Sequence, residues 1–223
     1  MNTRADSSIE YHLGELELTD ATDDPRRSLP QVPASCGRIL DVGCGIGQSL
    51  IGLNLPASVE AHGVDIDAAA IQYGCARFPH LRLQVGRGEA LPYDDGYFDM
   101  VICRVSLPYM HIPRALREFH RVLAPSGQLW LALHPASMVR QDLREAIANR
   151  SFRQLMYRAY VLANSAALYF DVQFAYLLNR KRMESYQSPA LIRRAVIRAG
   201  FSGIATTGAH VGGGSIVTAN RPD

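Results

Sequence analysis

The sequence predicts an α/β fold: a doubly wound, mostly parallel sheet of seven strands, with a C-terminal antiparallel hairpin and a helical insertion after the fifth strand. Three observations carry this expectation. An apolar strand, Ile39 to Val42, opens at once into the alternating glycines Gly43, Gly45 and Gly47. Short apolar runs then alternate with helix-length segments as far as residue 134, the rhythm of a parallel sheet wrapped by helices. Residues 137 to 187 break that rhythm and hold eight of the eighteen aromatic residues, which marks an insertion.

The elements follow in order. Residues 1 to 37 form a polar arm, with Asp23-Asp24-Pro25-Arg26-Arg27 and prolines at 30 and 33, in which Leu13, Leu16 and Leu18 suggest only a short ordered piece. One domain over 38 to 223 comes next, a length that can bury one sizeable core. Strand 39–42 leads through the glycine turn to a helix near 48–53. Strand 60–64, helix 68–78 and strand 81–85 complete the first half. In the second half, 98–103 reads as a buried strand. Residues 113–123 read as an amphipathic helix with Leu116, Phe119 and Leu123 on one face, and 128–133 as the fifth strand. Ser188 is placed to cap a helix that begins at Pro189 and stops at Gly200. Residues 201–207 and 215–219 pair as an antiparallel hairpin across the turn-rich 208–214.

Composition excludes several classes of function. A net charge of +2 lacks the concentrated basic face of a phosphate-tracking protein, so no nucleic-acid partner is expected. Cysteines 36, 44, 75 and 103 form no Cys-x-x-Cys pair, so neither a metal site nor a redox dithiol is expected. The N-terminus has acids where a secretory leader has a basic segment and an apolar run. The most apolar window, 155–178, is broken by Arg158, Asn164, Asp171 and Gln173, so a cytoplasmic protein without a membrane span is expected.

The glycine turn carries the first chemistry. Glycines let the backbone turn sharply and approach a ligand closely, and Asp41 within the strand would repel a diphosphate but suit a ligand bearing an amine or a sulfonium. Gln48 stands where a dinucleotide fingerprint has its third glycine. Asp65 ends the second strand eighteen residues after Gly47, where a carboxylate can accept both hydroxyls of a ribose. It can alternatively cap the following helix, a role that Asp67 fits better. Two further loops complete the set: Gly86-Arg87-Gly88-Glu89-Ala90 after the third strand, and Asp94-Asp95-Gly96 before the fourth, where the acids read as turn formers.

In this order the four features resemble the class I S-adenosylmethionine-dependent methyltransferases, with a Rossmann-like sheet, and in particular the bacterial group similar to ubiquinone and menaquinone biosynthesis enzymes. The resemblance covers about residues 38 to 134 and more weakly 188 to 220. It implies S-adenosyl-L-methionine as cofactor. It implies that Asp41, Gly43, Gly45 and Gly47 surround the amino acid and ribose, that Asp65 holds the ribose and Ile66 packs on the adenine. Glu89 and Ala90 would lie along the adenine edge, and Arg104 would begin the loop beneath the methionine part. Arg87 departs from the family, where an aspartate is common. Either the backbone at Gly88, or Glu89, or stacking by Arg87 replaces that adenine contact. Pro125-Ser126-Gly127 matches the Pro-Gly-Gly turn before the fifth strand, with serine for one glycine.

Methyl transfer from a sulfonium mainly requires alignment in a dry pocket, with a base only where the acceptor must lose a proton. Tyr109, His111 and His134 are the candidates at the carboxyl edge of the sheet. His134 can alternatively hold backbone near Pro135, and His111 can simply start the helix at Pro113. The insertion is the natural cover for a small-molecule acceptor. Its aromatics, Phe152, Tyr157, Tyr160, Tyr169, Phe170, Phe174 and Tyr176, either line the acceptor pocket or pack the insertion against the sheet or a second copy in a homodimer. Arg180-Lys181-Arg182 reads as a solvated face, or as a site for an anionic acceptor. Two rival readings remain beside the small-molecule enzyme: an RNA or protein methyltransferase on the same fold, and a non-catalytic nucleoside-binding protein. Against the first, Val105-Ser106-Leu107-Pro108-Tyr109 lacks the planar amide that many base-amine methylators use.

Overall fold

The computed structural model describes residues 3–20, 24, 28–180, 182–208 and 214–223. Its seven strands are β1 (Arg38–Val42), β2 (Glu60–Asp65), β3 (Arg82–Val85), β4 (Phe98–Arg104), β5 (Leu123–Ala132), β6 (Ser202–Thr207) and β7 (Ile216–Asn220). They form one sheet in the order β3-β2-β1-β4-β5-β7-β6, in which β7 alone runs antiparallel to its neighbours β5 and β6. The chain works outward from β1 to β3 and then returns to place β4 on the other side of β1. The carboxyl ends of β1 and β4 therefore open a crevice at a topological switch point.

Alternation along the strands divides the core into two layers. Leu40, Val42, Val101, Cys103, Leu129 and Leu131 face α4 (Ile112–Val122) and α7 (Pro189–Arg198), whose Leu116, Phe119, Ile192 and Val196 are fully buried. Ile39, Met100, Ile102 and Trp130 face the opposite way, toward Leu50 of α2 (Gln48–Gly52) and Ile71 of α3 (Ala68–Arg77). Strands buried on both faces read as near-continuous apolar runs, which is why they are plain in the sequence. The caps are equally local. Asp67 accepts the Ala69 and Ala70 amides at 3.0 and 3.3 Å, and Ser188 accepts that of Leu191 at 3.2 Å.

Two elements differ from expectation. β5 begins at Leu123, directly after α4, so Pro125-Ser126-Gly127 lies within its bounds beside a register shift opposite Phe98 and Met100. Ser126 there has φ +60°, a conformation that glycine adopts more cheaply. The N-terminal arm contains an 18-residue helix, α1 (Thr3–Asp20), rather than a short piece. Its described apolar side chains make no strong single face, and it packs on α2 and α3. The insertion contains α5 (Ala136–Ala148) and α6 (Phe152–Leu168), followed by an irregular return to α7. Of the expected turn at 208–214, residues 209–213 lie outside the described residues, as does Lys181.

Candidate functional site

The glycine turn is built by the backbone. The Gly43 and Cys44 amides both donate to the Val64 carbonyl, at 2.7 and 3.2 Å, so β2 holds the start of the turn. Gly43 has φ +79°, and a Cβ there would lie 2.1 Å from Ser106 Oγ, which itself donates to the Val42 carbonyl at 2.8 Å. Gly45 has φ +55° and lies against His12 of α1, whose Nδ1 would be 2.4 Å from an added Cβ. Asp65 ties this turn to the next element. Its Oδ2 accepts the Gly45 amide at 2.8 Å and its Oδ1 the Asp67 amide at 2.9 Å. The helix cap is Asp67, while Asp65 stays free to face the crevice.

A cavity of about 360 Å³ occupies the crevice, within the size range of small-molecule sites. Of the predicted residues, Gly43, Asp65, Ile66, Glu89 and Arg104 lie on its wall, whereas Asp41, Gly45, Gly47 and Ala90 do not. Ile66 is 67 % exposed, an apolar side chain held open at a polar loop. Glu89 accepts the His111 amide at 2.9 Å and meets the exposed Arg87 at 3.5 Å. The sequence did not point to Tyr11, His12 and Glu15, which close the cavity from α1. Glu15 pairs with the buried Arg104 guanidinium at 2.7 Å, and Arg104 Nε donates to Ser49 Oγ at 3.1 Å. His12 meets Gln48 at 3.3 Å. Only the docking of α1 reveals these residues, because nothing in a polar arm marks which side chains will meet the turn.

Asp41 is the electrostatic oddity. It is 1 % exposed, and among the described residues neither carboxylate oxygen has a hydrogen-bond partner. Burial pushes its carboxyl up to about 7, opposed by the nearby Arg104, reinforced by Asp65, and opposed again by the neighbouring Ser49 hydroxyl. A carboxyl so placed gains its charge most readily when positive charge enters the neighbouring crevice.

A second, smaller cavity of about 70 Å³ lies under the insertion, and Tyr109 lines both. Met138, Leu143, Val161 and Leu162 give it an aliphatic wall. His134 lies on the same wall with its ring 6.2 Å from that of Tyr109, edge to face. His134 Nε2 donates to the Val105 carbonyl at 2.8 Å, which leaves the lone pair on Nδ1, 3.1 Å from Met138 Sδ. Burial lowers its pKa and keeps the ring neutral at pH 7. His111 lies on neither cavity wall; it precedes α4 as its N-cap residue, with its amide held by Glu89.

The expectation that the insertion's aromatics line this chamber is not met. Tyr157, Tyr160 and Tyr176 are buried against one another, while Phe152, Tyr169, Phe170 and Phe174 are exposed; none is on the chamber wall. For two of the three buried tyrosines the hydroxyl finds its partner inside the insertion, while among the described residues that of Tyr176 has none. Tyr157 donates to Glu184 and Tyr160 to the Phe174 carbonyl, and both partners lie within the insertion itself. Arg182 stays exposed while it stacks 4.0 Å from the Tyr157 ring centre and meets Glu184 at 3.3 Å.

Among the described residues no cluster of His, Cys, Asp and Glu can hold a metal ion, and no helix is long and apolar enough to cross a membrane. Residues 39–127 match the methyltransferase domain family. The chain is 36 % identical over 154 residues to a phthiotriol/phenolphthiotriol dimycocerosates methyltransferase of Mycobacterium leprae, covering 62 % of this chain and 56 % of that protein. It is 35 % identical over 105 residues to the ubiquinone/menaquinone biosynthesis C-methyltransferase UbiE of Geotalea uraniireducens, covering 43 % of this chain and 44 % of that one. The chain thus spans about half the length of these curated relatives. Among solved structures, its fold is similar to a Haloferax volcanii complex of the Trm112 methyltransferase activator and a putative methyltransferase. There the TM-score is 0.63 at 16 % identity, covering 100 % of this chain and 95 % of that one.

Proposed function

We propose, from a methyltransferase domain of the class I S-adenosylmethionine-dependent group over residues 39–127, that this chain methylates a small molecule, using S-adenosyl-L-methionine as donor. The observation that carries the reading is the pair of cavities that share Tyr109, one at the switch point and one beneath the insertion. When bound, the donor supplies a methyl group already activated by the positive charge on sulfur.

The residues fit that group. Asp65 retains lone pairs for two ribose hydroxyls after accepting its two backbone amides. Ile66 offers an apolar surface to a planar base, and Glu15 with Arg104 offers opposite charges to an aminoacyl zwitterion. Asp41 answers the donor's positive charge from behind the wall. On this reading residues 1–37 are an arm closing the cofactor cavity, and 38–223 the methyltransferase domain with 137–187 as its acceptor cover, working in the cytoplasm. Tyr109 separates donor from acceptor and aligns them; His134 Nδ1 takes a proton where the acceptor must lose one.

The small, aliphatic chamber favours a small acceptor over RNA or protein, and two relatives are named for phthiotriol dimycocerosates and for ubiquinone/menaquinone biosynthesis. Calorimetry with S-adenosylmethionine and S-adenosylhomocysteine tests the reading: both bind to one site per chain. Binding of neither overturns it in favour of a non-catalytic protein.

A further inference from the structure

The chamber beneath Tyr109 contains a polar group that the protein leaves unanswered. Gln187 lines it, is 2 % exposed, and among the described residues neither Oε1 nor Nε2 has a hydrogen-bond partner. A primary amide carries two N–H donors and an acceptor oxygen, and leaving it dry and unpaired costs stability that a hydrocarbon side chain would not. Its polar neighbours are answered. Asp142 pairs with Arg158 at 2.9 Å and Arg158 with Glu184 at 3.3 Å, while Ser185 Oγ accepts Gln173 Nε2 at 3.1 Å.

The backbone leading to this amide is tied down at successive residues. The Glu184 amide donates to the Tyr160 hydroxyl at 3.3 Å, that of Ser185 to the Pro108 carbonyl at 3.1 Å, and that of Tyr186 to Ser165 Oγ at 2.6 Å. Ser188 then caps α7. Gln187 is therefore presented by a fixed strap between α6, the Pro108 turn and α7, the arrangement that suits recognition of a ligand without prior ordering.

We propose that Gln187 is the specificity-determining residue for the methyl acceptor, an inference that rests on the methyl-transfer reading above. Its amide takes a neutral group that presents a donor and an acceptor side by side: a carboxamide, a protonated acid, or a hydroxyl next to a carbonyl. The rest of the acceptor is apolar, to match Met138, Leu143, Val161 and Leu162. A charged group is disfavoured, since the acids and arginines at this wall already neutralise one another. With that group held by Gln187, the reacting atom is directed toward Tyr109 and the donor cavity.

The test uses the full chain and Gln187→Leu, with Gln187→Met as a second apolar variant. Without any ligand, each variant melts above wild type, by about 2–4 °C for each buried amide penalty of ordinary size that is relieved. With S-adenosylhomocysteine present, ligand-observed NMR finds acetamide, a carboxamide small enough for the chamber, bound by wild type and on the order of tenfold more weakly by the variants. S-adenosylhomocysteine itself binds all three equally. Variants that both melt below wild type, or that bind acetamide as well as wild type does, overturn this inference alone. A wild type that binds no S-adenosylhomocysteine overturns the methyl-transfer reading, and this inference with it.

Discussion

The two cavities that meet at Tyr109 are made in opposite ways. The larger is shaped by backbone: a glycine turn pinned by Val64, a carboxylate bridging two amides, and loops at the ends of adjacent strands. The smaller is shaped by side chains from α5, α6, the return strap and the end of β5, which come from distant parts of the chain. Charge is handled differently as well. On the turn side the Glu15–Arg104 pair lines the cavity while Asp41 is buried outside any ion pair among the described residues, whereas Asp142, Arg158, Glu184 and Arg182 on the insertion side are joined in one chain of ion pairs. A backbone-made site tolerates little change but suits a ligand common to many enzymes. A side-chain-made site can be altered without disturbing the fold, which suits a ligand peculiar to one enzyme.

Substitutions can break this contrast, and the largest effect belongs to the turn. Gly43→Val places a β-branched residue at φ +79° with its Cβ on Ser106, so urea unfolding should show a loss of about 4 kcal/mol or more. A loss under about 1 kcal/mol would mean that the turn relaxes easily and is not backbone-determined.

Asp41 comes next and adds a pH dependence. Because burial raises its carboxyl to about 7, the folded state keeps a proton that the unfolded chain releases near its ordinary value. This contribution therefore favours folding at acid pH and fades as pH rises toward 7. Asp41→Asn should leave stability little changed at pH 4 and raise it by about 2–4 kcal/mol at pH 8, while weakening S-adenosylmethionine binding there. Equal effects at both pH values would show that Asp41 is not held protonated.

Asp65→Ala should lower affinity for S-adenosylhomocysteine by about 2 kcal/mol in calorimetry, and an unchanged affinity would remove the ribose role. Glu15→Gln weakens the ion pair between α1 and the buried Arg104. Amide hydrogen exchange in α1 should then speed up by about fivefold, the equivalent of about 1 kcal/mol, with α6 unaffected. The smallest effect is expected at Phe152, which is 74 % exposed: Phe152→Ser should change stability by less than about 0.5 kcal/mol. A larger loss that grows with protein concentration in sedimentation would instead reveal a subunit interface on the insertion.

How much of this was legible in the sequence follows the same division. The central strands β1 and β4 announce themselves because both faces are buried, and Asp65 because the spacing from the glycine turn is set by one βαβ unit. The cap at Asp67 and the start of α7 at Ser188 are local, decided by side chain and amide within three residues. The register shift that draws Pro125-Ser126-Gly127 into β5 is not local, since it depends on what β4 offers across the ladder.

By itself, then, the sequence determined the strands of a doubly wound sheet and the turn that faces the crevice, because each is encoded by periodicity or by a backbone conformation that glycine permits. The tertiary structure alone decided what surrounds the crevice. It brought Glu15 onto Arg104 across 89 residues, buried Tyr157, Tyr160 and Tyr176 against one another, and left the Gln187 amide without a partner among the described residues. Those outcomes depend on which polar groups find partners after distant segments meet, a competition that no local pattern records.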